Sequence, residues 1–225
     1  MSTETTITGQ TATEMLAEFF RSGPLRTLDR KEVIASQFVN TDKLYLLETG
    51  YVKVVSYTGK GDSQIQHIYG PLEVFPLTHL SFVTEKPINF FKNLDFVALG
   101  DVAVREKHCT DFEAFICQKP EVLMALVAQQ YFIFDRLYNI SLTSASQRVI
   151  YRLLTLADRF GTKQDGHTLI NLHITIQEIA DTINVSRETT GRVLNELENK
   201  GFIMMSRKSL LVYTEPLKEL LEENS

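Results

Sequence analysis

Cysteine is scarce in this chain of 225 residues, which has only Cys109 and Cys117. Two thiolates cannot supply the four ligands of a conventional iron–sulfur cluster within one chain. The pair brackets Phe112, Phe115 and Ile116, and a reducing compartment disfavours a disulfide, so buried or idle thiols are expected. Long apolar runs are missing too: none approaches the roughly 18 residues of a membrane span. No signal-peptide pattern opens the chain, so the expected location is the cytoplasm, with no membrane partner. Positive charge is in deficit, 23 Lys and Arg against 28 Asp and Glu, a formal net charge of −5. Any surface for nucleic acid must therefore be local, with weak and salt-dependent non-specific affinity. His67 and His108 lack metal-ligand spacing, so neither a metal nor a cofactor is expected. Neither paired Ser and His nor clustered carboxylates accompany a glycine-rich loop, so no enzyme is expected. There is no internal repeat. The Thr-rich stretch Met1 to Thr13 is expected to fray.

What is present is concentrated between Ile174 and Val193. Thr175 followed by Glu178 makes an S/T-x-x-E capping box, and Ile176, Ile179, Ala180 and Ile183 give the helix behind it one apolar face. Asn184 suits a left-handed turn, and Ser186 caps a second helix whose buried stripe is Val193, Leu194 and Leu197. Arg187, Glu188, Thr189 and Arg192 are left facing outward. An Arg fork fits O6 and N7 of guanine, and a Glu carboxylate accepts from N4 of cytosine. The pattern predicts a helix-turn-helix whose second helix offers Arg187, Glu188 and Arg192 to base edges in double-stranded DNA. Asn199-Lys200-Gly201 stops that helix. Gly201 to Met205 and Leu210 to Tyr213 then read as a hairpin wing with basic Arg207 and Lys208 at its tip, placed to touch phosphates.

The run Ser186-Arg187-Glu188-Thr189-Thr190-Gly191-Arg192, within Thr175 to Tyr213, resembles the DNA-binding domain of the Crp/Fnr family of bacterial transcription regulators. The resemblance implies that Arg187, Glu188 and Arg192 read bases in a G/C-containing half-site. It also implies phosphate contacts from Thr175, Gln177, Ser186, Thr189 and Lys208.

The N-terminal half has another texture. Runs of β-branched and aromatic residues from Leu44 onward are broken by glycines such as Gly50 and Gly70, the pattern of an antiparallel β-roll or jelly roll. Within the family this resembles the cyclic-nucleotide-binding sensor, whose pocket carries an F-G-E stretch and, shortly after, an Arg for the cyclic phosphate. Here the stretch is Pro71-Leu72-Glu73-Val74-Phe75-Pro76-Leu77, and no Arg occurs between Arg30 and Arg105. Lys86 and Lys92 lack the planar fork that grips a phosphate, so cAMP is not expected. Glu73 is a candidate effector contact, and His79 falls near the position where a haem-binding relative keeps its iron ligand.

Pro120 opens a long helix reaching about Ser144, with Leu123, Leu126, Gln130, Ile133, Leu137 and Ile140 spaced as an a/d seam. Val127, Phe132 and Phe134 are expected on another face, against the chain's own core. By resemblance this is the family's dimerisation helix, which would place two recognition helices about 34 Å apart on a palindromic site. A further helix over Ser146 to Phe160, with Val149, Ile150, Leu153, Leu154 and Ala157 on one side, precedes a short strand at Asn171 to Ile174. A last helix is expected over Pro216 to Glu223.

The fold class expected is α+β. A sensor β-roll with an N-terminal helical segment spans 1–118, a dimerisation helix 119–145, and a winged helix-turn-helix 146–225. The expected function is a homodimeric, sequence-specific regulator of transcription with RNA polymerase as a further partner, controlled by an effector other than cAMP. A ligand-independent regulator and a haem- or redox-sensing one remain open. So does a small-molecule-binding module or enzyme whose helical end contacts proteins.

Overall fold

The computed structural model of the chain describes residues 9–36, 39–40, 42–57, 63–80, 94–130, 138–139, 141–142, 144–206 and 209–223. It divides into two units, one of residues 1–57 and 68–132, the other of residues 58–67 and 133–225.

The first unit opens with α1 (Gly9–Arg21), followed by β1 (Leu25–Leu28), β2 (Val33–Ser36), β3 (Lys43–Thr49), β4 (Val52–Tyr57), the last two residues of β5 (Ser63–Tyr69) and β6 (Val74–Phe75). A 3₁₀ turn (Leu77–His79), β7 (Leu94–Ala98), β8 (Val102–His108), α2 (Cys109–Gln118) and α3 (Pro120–Gln130) complete it. Two four-stranded sheets form, ordered β1-β8-β3-β6 and β2-β7-β4-β5. β8 runs antiparallel to β1 and β3, and β7 to β2 and β4, as a β-roll requires.

β3 accounts for the arrangement. Leu44, Tyr45, Leu46 and Leu47 are all buried, so the strand is covered on both faces and reads as a continuous apolar run. Tyr45 and Leu47 point between the sheets, among Ile34, Val54, Phe75, Phe96 and Val104. Leu44 and Leu46 point the other way, against Leu16 and Phe20 of α1, Phe112 of α2, and Val122 and Leu126 of α3. The β3–β4 turn needs glycine: Gly50 has φ +84°, and a Cβ there would lie 2.3 Å from the Asp101 carbonyl oxygen.

Two expectations about this unit are corrected. Gly9 to Thr13, expected in a frayed stretch, form the start of α1, whose Ala12 is buried. Leu126, assigned to a seam for a partner chain, is 3% exposed and packs in the unit's own core, whereas Val127, expected inward, is 57% exposed. The outward face of α3 is Leu123, Met124 and Val127, with Gln130 half-buried beside it. Ile133, Leu137 and Ile140 lie outside the described residues. On the other side of α3, the Gln129 side chain spans the backbone of Val74. Its Oε1 accepts from the Val74 N–H at 3.1 Å, and its Nε2 donates to the Val74 carbonyl at 2.8 Å. An amide side chain thus occupies the position of a further strand at the β6 edge.

The second unit holds α4 (Ala145–Phe160), β9 (Gly161–Gln164), β10 (His167–Ile170), α5 (Ile176–Ile183), α6 (Arg187–Asn199), β11 (Ile203–Met205), β12 (Leu210–Val212) and α7 (Thr214–Glu223). Ser144 caps α4 in a capping box with Gln147. Val149, Ile150, Leu153 and Ala157 of α4 are buried as expected, but Leu156 takes the inward place given to Leu154. The expected strand at Asn171 to Ile174 is not one. The strand is β10, four residues earlier, paired with β9 across the Asp165-Gly166 turn and with β12 on its other edge. The wing is therefore a four-stranded sheet, β11-β12-β10-β9.

Candidate nucleic-acid interface

The helix pair α5–α6 is built by short-range hydrogen bonds that its sequence encodes. The Thr175 hydroxyl accepts from the Glu178 N–H at 3.2 Å, and the Glu178 carboxylate accepts from the Thr175 N–H at 2.9 Å. Asn184 ends α5 in the left-handed region at φ 54°, ψ 49°, and its N–H donates to the Ala180 carbonyl. Two residues later the Ser186 Oγ accepts from the Thr189 N–H at 3.1 Å and starts α6. Thr190, Val193, Leu194 and Leu197 form the buried side of α6. Thr190 is fully buried, and its Oγ1 has no hydrogen-bond partner.

On the opposite side Arg187, Glu188 and Arg192 are exposed, and among the described residues none of them is held in an ion pair. At 1.5 Å of rise per residue, Arg187 and Arg192 are about 7.5 Å apart along the axis, roughly two base-pair steps of 3.4 Å. A groove of about 470 Å³ runs along this face, lined by Ile176 of α5 and by Arg187, Glu188, Gly191, Arg192 and Asn195 of α6, among others. Gly191 belongs to the Ser186 to Arg192 run but has no role there in the sequence reading, and Asn195 lies outside that run. Glu188, Arg192, Asn195 and Asn199 recur at i, i+4, i+7 and i+11, and that spacing was the signal available.

The residues expected to hold phosphates differ in what they have left to offer. The Thr175 hydroxyl also donates to Glu178 Oε2 at 2.9 Å, so its proton is used inside the cap. The Ser186 hydroxyl donates to Thr189 Oγ1 at 2.9 Å, which leaves the Thr189 hydroxyl proton directed elsewhere. Gln177 donates one amide hydrogen to Asp181 at 2.7 Å and keeps a second. Lys208 lies outside the described residues.

The two candidate effector contacts are engaged in local structure. The Glu73 carboxylate accepts from the Gly70 N–H and closes the turn of residues 70–73, in which Leu72 is held at φ 69°. His79 sits on the 3₁₀ turn with Nδ1 3.2 Å from the Lys43 carbonyl oxygen, so Nδ1 carries the proton. Burial holds its pKa below the usual histidine value. Cys109 is buried and Cys117 exposed, and burial raises the Cys109 thiol to about 11. Lys86 and Lys92 are outside the described residues.

Three comparisons bear on this site. Residues 147–220 match the model of the Crp-like helix-turn-helix domain. A CRP-like cAMP-activated global transcriptional regulator of Mycobacterium tuberculosis is 27% identical over 175 residues, covering 76% of this chain and 75% of the relative. Among solved structures, FixK2 from Bradyrhizobium japonicum superposes with a TM-score of 0.71 at 22% identity, over 88% of this chain and 96% of its own.

Proposed function

We infer that the chain is a transcriptional regulator of the Crp/Fnr type and that it binds a two-fold symmetric DNA site as a homodimer. One observation carries the reading. On a helix capped and buried on one side, Arg187, Glu188 and Arg192 stand exposed and unpaired among the described residues, about two base-pair steps apart from first to last. They read a G/C-containing half-site, while Thr189 and the second amide hydrogen of Gln177 donate to phosphates, joined by Lys208 and the Ser186 turn. Dimerisation uses the outward face of α3, where Leu123, Met124 and Val127 form an apolar patch that water disfavours. RNA polymerase is the protein partner of such a regulator, and the cytoplasm its compartment.

The effector acting on the first unit is not recognised through an Arg–phosphate pair, since the sequence between Arg30 and Arg105 contains no arginine. A second reading, a regulator that needs no small molecule, is favoured by the aromatic packing between the sheets. Phe75 stacks on Tyr45, Tyr69 and Phe96 with ring centroids 5.7, 5.2 and 5.6 Å away.

Selection from random duplex DNA by the purified protein at moderate salt tests both readings. A palindromic, G/C-anchored motif recovered without added ligand supports the regulator and the ligand-independent form. Arg192→Ala should then lose discrimination at one base pair of each half-site, worth about 1–3 kcal/mol. Unchanged discrimination in that variant would refute its assignment as a base reader.

A further inference from the structure

Gly191 lies in the interior of α6, where glycine is the poorest helix former after proline. Its backbone does not call for glycine: among the described residues the glycines with positive φ are Gly50, Gly166 and Gly201. Nor does its packing. A Cβ built on Gly191 would meet one atom within 4 Å, Ile176 Cγ2 at 3.8 Å, an ordinary van der Waals contact. Gly50 is the contrast, since there a Cβ would collide with backbone. Among the described residues, nothing therefore explains why α6 tolerates its weakest residue at this point. Outside the chain the position is prominent. Gly191 lines the groove between Ile176 of α5 and the side chains of Arg187, Glu188 and Arg192.

We propose that Gly191 is the point of closest approach of duplex DNA to α6. The missing Cβ lets the wall of the major groove lie against the helix backbone. Arg187 lies four residues before it and Arg192 immediately after it, and that approach brings both within reach of base edges. A methyl group at this position would hold the helix out of the groove while leaving its fold intact. The inference rests on the reading that α6 enters a DNA groove, and it assigns an unfavourable local residue to contact with the partner.

The test uses the full chain, the duplex recovered by wild-type protein from a random pool, and two variants. Gly191→Ala should raise the melting temperature of the second unit by about 5 °C, because alanine favours the helix. The same variant should bind the selected duplex about tenfold more weakly, the order of a lost base-pair contact. Thr190→Val, on the buried side of the same helix, is the control: it should raise the melting temperature and leave affinity unchanged. Unaltered affinity of Gly191→Ala would overturn the proposal while leaving the DNA-binding reading standing. A lowered melting temperature would overturn it as well, by showing that the fold itself requires glycine. Failure of the wild type to select any sequence would remove the reading of α6 and the proposal with it.

Discussion

Replacing Thr190 by valine should stabilise the second unit. Thr190 is 0% exposed on the inner side of α6, and its Oγ1 is buried without a hydrogen-bond partner. Its backbone is satisfied, the N–H donating to the Ser186 carbonyl at 2.9 Å, so the liability is confined to the hydroxyl. A buried polar group left unpaired costs about 1–3 kcal/mol, and removing it without changing shape recovers much of that. Valine is nearly isosteric, equally β-branched and close to threonine in helix propensity, so backbone terms almost cancel. We expect a gain of about 1–2 kcal/mol, or roughly 5–10 °C in melting temperature for a unit of this size. The assay is urea unfolding followed by far-ultraviolet circular dichroism. The midpoint should rise at constant slope, the signature of a change in stability without a change in exposed surface. A midpoint that stays put or falls would refute the reasoning, since the hydroxyl would then have a partner, either a bent bond to its own helix or an internal water.

Two other outcomes follow from the first unit. Gln129→Ala removes both hydrogen bonds to Val74 and leaves an edge N–H and carbonyl without a protein partner, so that unit should lose about 1–2 kcal/mol in urea unfolding. Alkaline pH should weaken the same unit. Burial raises Cys109 from 9.0 to about 11 and Tyr45 from 10.0 to about 12, so the folded state keeps protons that the unfolded chain releases. That stabilisation is full below pH 9 and is lost as pH climbs through the folded values. The urea midpoint should therefore be lower at pH 10.5 than at pH 8, and a flat profile across that range would contradict the burial of both groups.

The parts of the molecule legible in the sequence are those made by neighbours three or four residues apart. The Thr175–Glu178 box, the left-handed Asn184 and the Ser186 cap each depend on one side chain bonding to the adjacent backbone, so residue type and spacing suffice. Helical periodicity also fixed the buried stripe of α6. It could not say which face of α3 meets the chain's own core: Leu126 and Val127 are both apolar, and their assignment depends on where β3 and α1 lie. The β9–β10 hairpin went unread because its strands are four residues long and largely polar, with pairing that depends on β12. At the site, side-chain chemistry pointed to Arg187, Glu188 and Arg192, which are exposed on α6. Gly191 is conspicuous by type as a glycine within a helix, but only the space around its absent Cβ shows that neither backbone nor packing calls for it.

The central place of β8 has a consequence for the order in which the protein is made. β8 pairs with both β1 and β3, and Leu28 finds its partner in Val102, 74 residues later. At about 5–20 residues per second of synthesis, β1 waits roughly 4–15 s before its partner exists. During that interval the apolar run Leu44 to Leu47 has no β8 beside it and no α2 or α3 over its outer face. The N-terminal half emerges first yet must close late, as one long-range event. The α5–α6 pair, made of adjacent segments, can form within moments of leaving the ribosome.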